Sequence, residues 1–170
     1  ILLDGEMILG GCGMRMDPPT AYVFPEAFDR ITVLKGPQTV KYGPGNSAGV
    51  VLFERTPKVR KGFSAYAEGS LLAGSFGRND QVLEAGVGNE RYYGEITSTH
   101  SHSQDYKDGS GRQVHSRYDR WSVNGAVGLT PDENTRLELS FAKSDGHAAY
   151  ADRSMDGTAF DRTNVGLKFE

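Results

Sequence analysis

From Phe63 onward, apolar and polar residues alternate with a period of two. Leu137, Leu139 and Phe141 fall on one side of the chain, Arg136, Glu138 and Ser140 on the other. Val165, Leu167 and Phe169 likewise oppose Asn164, Gly166 and Lys168, and Trp121, Val123, Val127 and Leu129 oppose Arg120, Ser122, Asn124 and Gly128. This period belongs to a β-strand with two unlike faces. It predicts six strands, near 63–73, 80–89, 91–102, 116–129, 134–144 and 159–169. Each is about 10–14 residues, long beside the ~5–6 of a globular sheet and suited to a tilted membrane strand. The joints near 89–90 and 130–133 are tight, and polar connections near 74–79, 103–115 and 145–158 alternate with them. A soluble antiparallel sheet also alternates. Strand length together with the turn–loop alternation favours a transmembrane β-barrel, with those three connections as its outer loops.

Residues 1–57 have another texture. Gly10-Gly11, Pro18-Pro19, Pro25, Gly36-Pro37, Gly43-Pro44-Gly45 and Pro57 punctuate the segment into short pieces. Ile1–Gly5, Arg30–Lys35 and Gly49–Glu54 read as short strands. Pro25–Phe28 and Pro37–Tyr42 read as helices of one or two turns, with proline at the first position. The expected organisation is a small α+β domain over 1–57, followed over 58–170 by antiparallel barrel strands. At about 18 residues per strand, a 22-stranded barrel takes roughly 400 residues, so six strands are an incomplete part of one.

Composition narrows the field. A net charge of -3 offers no basic footprint for nucleic acid. No apolar run is long enough for a membrane helix, which leaves the barrel reading untouched. A single Cys excludes an internal disulfide framework. The chain shows no initiator Met and no signal peptide, and strand-like runs stand at both ends, so it reads as a piece of a longer protein. Gly43–Gly49 lacks the Gly-Lys-Ser/Thr ending of a phosphate loop, and there is no Gly-x-Ser-x-Gly, His-Glu-x-x-His or Cys-x-x-Cys. Nothing here points to an enzyme.

Soft-donor chemistry does stand out. Cys12, Met14 and Met16 place three sulfurs within five residues of a Gly-rich run, in a chain with 1 Cys and 4 Met. Thiolate and thioether donors select Cu(I) over hard cations. The same residues also read as an inert thiol and two gap-filling methionines.

The stretch Pro25–Val51, with Arg30-Ile-Thr-Val-Leu-Lys-Gly-Pro37 and Tyr42-Gly-Pro-Gly-Asn-Ser-Ala-Gly49, closely resembles the plug domain of TonB-dependent outer-membrane receptors, and Leu3-Asp4-Gly5 resembles an upstream plug strand. Arg30, Lys35, Gly36, Pro37, Tyr42, Gly43, Gly45 and Gly49 carry the motif. Thr32, where the family more often has Glu, and Leu52, where it has Asn or Ile, depart from it. Gly10–Thr20 followed by Ala21–Phe28 is similar to the copper-receptor subgroup, whose Cys-x-x-x-Met pair falls on Cys12 and Met16. Met14 is the sulfur that spacing does not select. The subgroup's second pair, His-x-Met, does not occur in these 170 residues.

The resemblance implies a receptor in the outer membrane of a Gram-negative bacterium, in contact with its lipid. TonB, ExbB and ExbD would drive it through a TonB box that this sequence lacks. It implies copper as cargo and no organic cofactor. Uptake of an iron–siderophore or another chelate is the rival within transport, and a passive adhesin or phage-receptor barrel the rival outside it. His100 and His102 share one face of a predicted strand and join His147 as further metal candidates. His115 and Met155 lie in the predicted loops with Asp105, Asp108, Asp145, Asp152 and Asp156, where such residues are ordinarily solvated.

Overall fold

The computed structural model describes residues 1–8, 23–44, 47–56, 61–132, 134–151 and 155–170. The chain divides into two compact units, Ile1–Lys58 and Val59–Glu170. Among the described residues no helix is long and apolar enough to cross a membrane.

The first unit is a four-stranded mixed sheet of β1 (Leu2–Leu3), β2 (Glu6–Met7), β3 (Arg30–Lys35) and β4 (Gly49–Glu54), in the order β2-β1-β4-β3. Asp4 and Gly5 have φ of 48° and 92°, so the Asp-Gly pair closes β1 onto β2 through a two-residue turn with both centres left-handed. The Asp4 carboxylate then accepts the Arg55 backbone N–H at 2.7 Å and its Nε–H at 2.8 Å, tying the turn to the end of β4. β1 runs parallel to β4 and β3 antiparallel to it. Leu3, Ile8, Val23 and Phe53 form the core, flanked by Ile1, Phe28 and Val51.

The expected helices shrink to single 3₁₀ turns, Pro25–Ala27 and Val40–Tyr42. The second begins three residues after Pro37, because Thr39 is still extended (φ -68°, ψ 160°) and Gly43 (φ 89°) stops it. A segment this short cannot offset the cost of nucleating an α-helix.

The second unit is a six-stranded antiparallel sheet. Its strands β5 (Ser64–Ala73), β6 (Asn79–Gly88), β7 (Tyr92–Ser103), β10 (Tyr118–Asp132), β11 (Thr135–Ala148) and β12 (Arg162–Phe169) lie in chain order. A small hairpin, β8 (Tyr106–Lys107) with β9 (Gln113–Val114), sits in the connection between β7 and β10. β11 runs four residues past its expected end, because Tyr118 and Asp119 of β10 pair with Ala148 and His147. The third long loop therefore starts at 149.

The register fixes two faces. On one, Leu129, Leu137 and Phe169 line up in a row, then Val127, Leu139 and Leu167, then Phe141 and Val165 with Ile96 across Gly125. Every one of these apolar side chains is exposed. On the other face Thr97, Thr99, Ser122, Asn124 and Ser144 are buried, with Ser122 at 0% exposure and its Oγ 2.7 Å from Thr99 Oγ1. Burial here is the inverse of a water-soluble sheet, where buried polar groups and broad exposed apolar surface are the exceptions.

Candidate functional site

The sulfur cluster Cys12, Met14 and Met16 lies outside the described residues, within 9–22. What flanks it is well defined. Ile8 on one side and Val23 on the other, 7% and 2% exposed, belong to the same core cluster around Phe53. Ile8 N–H also donates to the Ile1 carbonyl at 3.1 Å. The two described residues that bracket the sulfurs therefore stand in one place, in the core of the first unit.

The remaining motif residues shape the sheet beside it. Arg30 Nε donates to Glu54 Oε2 at 3.0 Å across β3 and β4. Lys35 pairs with Gly49, whose φ of 140° and close approach to the Leu34 carbonyl leave no room for a side chain. Gly36 (φ 81°) turns the chain out of β3 into Pro37, and the Gln38 amide donates back to the Lys35 and Gly36 carbonyls at 3.2 and 3.3 Å. The Met7 methyl fills the space a Cβ on Gly43 would take. Lys41 sits 5.9 Å over the Tyr42 ring. Gly45 lies outside the described residues. Thr32 and Leu52, the two departures from the plug pattern, are direct partners in the β3–β4 register.

The structure brings His100, His102 and His147 to one corner of the apolar face. Asp119 is the residue between them that hydropathy had not marked. His102 Nδ1 lies 2.9 Å from Asp119 Oδ2, His100 Nε2 lies 3.4 Å from Oδ1, and His147 faces Asp119 across the β10–β11 register. The row below carries His100, Trp121 and Asp145. Parity along β10 could have found Asp119, because it stands two residues from Trp121; its histidine neighbours depend on register. Among the described residues, no group of three or more His, Cys, Asp or Glu has the geometry to hold a metal ion.

The loop acids have structural work. Asp105 accepts the backbone N–H groups of Ser116 and Arg117, each at 2.9 Å, which hold its carboxyl below the usual range. Asp108 does the same with Arg112 and Ser110, at 3.0 and 2.8 Å, and is lowered for the same reason. His115 Nε2 lies 2.8 Å from Asp156 Oδ2, and that hydrogen bond lowers the Asp156 carboxyl. Met155 is exposed, and Asp152 lies outside the described residues. At the opposite end of the sheet, the Tyr93 hydroxyl donates to Glu138, Arg136 pairs with the same carboxylate, and Arg136 Nε donates to Tyr93 Oη at 2.9 Å. The Tyr93 ring lies over Gly128, where any side chain would collide with it.

Residues 1–50 match the family model described as the TonB-dependent Receptor Plug Domain. No curated protein sequence matches the chain. Among solved structures, the "Copper transporter OprC" aligns over 99% of the chain with 50% identity and a TM-score of 0.92. The chain spans 26% of the length of that structure. On these two matches the chain belongs to the TonB-dependent receptor family, where it groups with the copper transporter.

Proposed function

We propose that this chain supplies part of the plug and the first six barrel strands of an outer-membrane receptor that imports copper. The observation that carries the reading is the 50% identity to OprC along nearly the whole chain, joined to the Cys-x-x-x-Met spacing of Cys12 and Met16. A thiolate and a thioether are the donor set that selects Cu(I), and Met14 is a third sulfur in the same stretch of sequence. Copper is cargo here, held on the plug and released inward, not a resident cofactor. The exposed rows of Leu129, Val127 and Phe141 face hydrocarbon, and Thr97, Thr99 and Ser122 face the barrel lumen. TonB, with ExbB and ExbD, supplies the pull on the plug in this reading.

His100, His102 and His147 play no part in it as cargo ligands. They share the apolar face, on the far side of the sheet from the lumen, and Asp119 already engages two of them. The test is metal content by mass spectrometry on the full-length receptor, expressed with copper and purified in detergent, beside Cys12→Ala/Met16→Ala. The expected result is about one copper per chain in the parent and loss of it in the variant. Equal copper in both, or none in either, sinks the copper reading and moves the cargo to a siderophore-type chelate.

A further inference from the structure

Three connections emerge at the same end of the six-stranded sheet, at residues 74–78, 104–117 and 149–161. They are joined in series by contacts that none of them needs for its own turn. The first meets the second where Gln104 N–H donates to the Phe76 carbonyl at 2.9 Å and the Phe76 and Tyr106 rings lie 6.3 Å apart. Phe76 is placed for this by a left-handed backbone, φ 61°, which a bulky residue seldom adopts. The second meets the third at His115.

His115 has a carboxylate on each side. Asp105, of its own loop, is 3.9 Å from Nδ1, and Asp156, of the third loop, is 2.8 Å from Nε2. The two acids are not equivalent. Asp105 is fixed by the Ser116 and Arg117 amides and by Gln113 Nε2 at 3.1 Å, and only 14% of its side chain is exposed. Asp156 also accepts the Tyr150 backbone N–H, so one carboxylate braces the third loop internally and ties it to its neighbour. Ala149 N–H donating to the Arg117 carbonyl at 2.8 Å closes the same seam at the strand ends.

We propose that His115 is a clasp that makes the three outer loops one mechanical rim, so that displacement of the third loop is transmitted to the second and, through Tyr106 and Phe76, to the first. The clasp is independent of the cargo, and its failure leaves the copper reading standing. Hydrogen exchange with mass spectrometry on the full-length receptor in detergent, without added metal, tests it. His115→Ala is expected to speed exchange about threefold in the third loop as well as in its own, the scale of one side-chain hydrogen bond. Asp156→Asn, which keeps the size of the side chain, is expected to speed exchange at residues 113–116 of the second loop by a similar factor. Asp108→Asn removes a brace confined to 108–112 and is expected to leave the third loop unchanged. Should either His115→Ala or Asp156→Asn leave the loop across the clasp exchanging at the wild-type rate, the loops are separate and the proposal falls.

Discussion

The two units of this chain obey opposite burial rules. Among the described residues of the plug unit the buried side chains are Leu2, Leu3, Ile8, Val23, Phe24, Ala27, Val50 and Phe53, all apolar. In the strand unit the buried side chains include Thr97, Thr99, Ser122, Asn124 and Ser144, while Leu139 and Leu167 stand 49% and 74% exposed. Backbone physics is common to both, since each is a hydrogen-bonded sheet with every side chain assigned to a face by parity. What differs is the solvent against which each face was selected. The plug excludes water from a small core, and on the proposed reading the strands present hydrocarbon to hydrocarbon and keep their hydroxyls for one another.

Substitutions separate the two rules. Phe53→Ala removes a phenyl ring from the plug core, where it is 4% exposed and lies 5.5 Å from the Phe28 ring. The expected loss is about 3–5 kcal/mol of plug stability, read as faster protease cleavage in residues 1–58 of the folded receptor. Resistance equal to wild type would mean that the plug does not rely on this core. Leu139→Arg is the complementary test, placing a charge in the middle of the exposed apolar rows. The expected cost is about 2–4 kcal/mol for a lipid-facing position, measured by urea titration of the receptor refolded into bilayers. A neutral result would mean that this face meets water.

The smallest effect concerns the loops, where aspartate carboxylates brace the second and third connections. Asp105, Asp108 and Asp156 have carboxyls held below their usual 3.8, the first two chiefly by backbone N–H donors and the third by His115. A depressed folded pKa gives stability that is present above pH 3.8 and lost as pH falls through the lowered value. Acid should therefore loosen residues 104–117 and 149–161 before the strands. Cleavage by an acid-active protease, normalised to an unstructured peptide, should appear in those loops below about pH 4 with the sheet intact. Simultaneous cleavage of strands and loops would show that the carboxylates have no special role.

Period two made the strands legible, because alternation survives inversion of the solvent: a face is apolar whether it meets a core or a membrane. The strand ends were less legible. β11 reaches Ala148 only because Tyr118 offers it a partner, a fact of register that no single strand carries. The β8–β9 hairpin has no apolar alternation at all; Asp105 and Asp108 hold it through backbone amides. The histidine corner follows the same logic. His100 and His102 share a face by spacing, but their convergence on Asp119 depends on how β7 and β10 pair. The sulfurs stood out as a cluster, but only the resemblance to the copper-receptor subgroup singled out Cys12 and Met16, and all three sulfurs lie outside the described residues.

One feature of the plug reaches further than stability. Ile8 and Val23 belong to a single core, so the two positions that bracket residues 9–22 stand together. Closing a loop becomes harder only slowly with length, by about 0.6 kcal/mol for each doubling. Loop closure therefore sets little limit on how many residues stand between those two positions. On the proposed reading the β1–β4 sheet is a socket whose two adjoining ends, at Ile8 and Val23, accept stretches of different length between them at little cost.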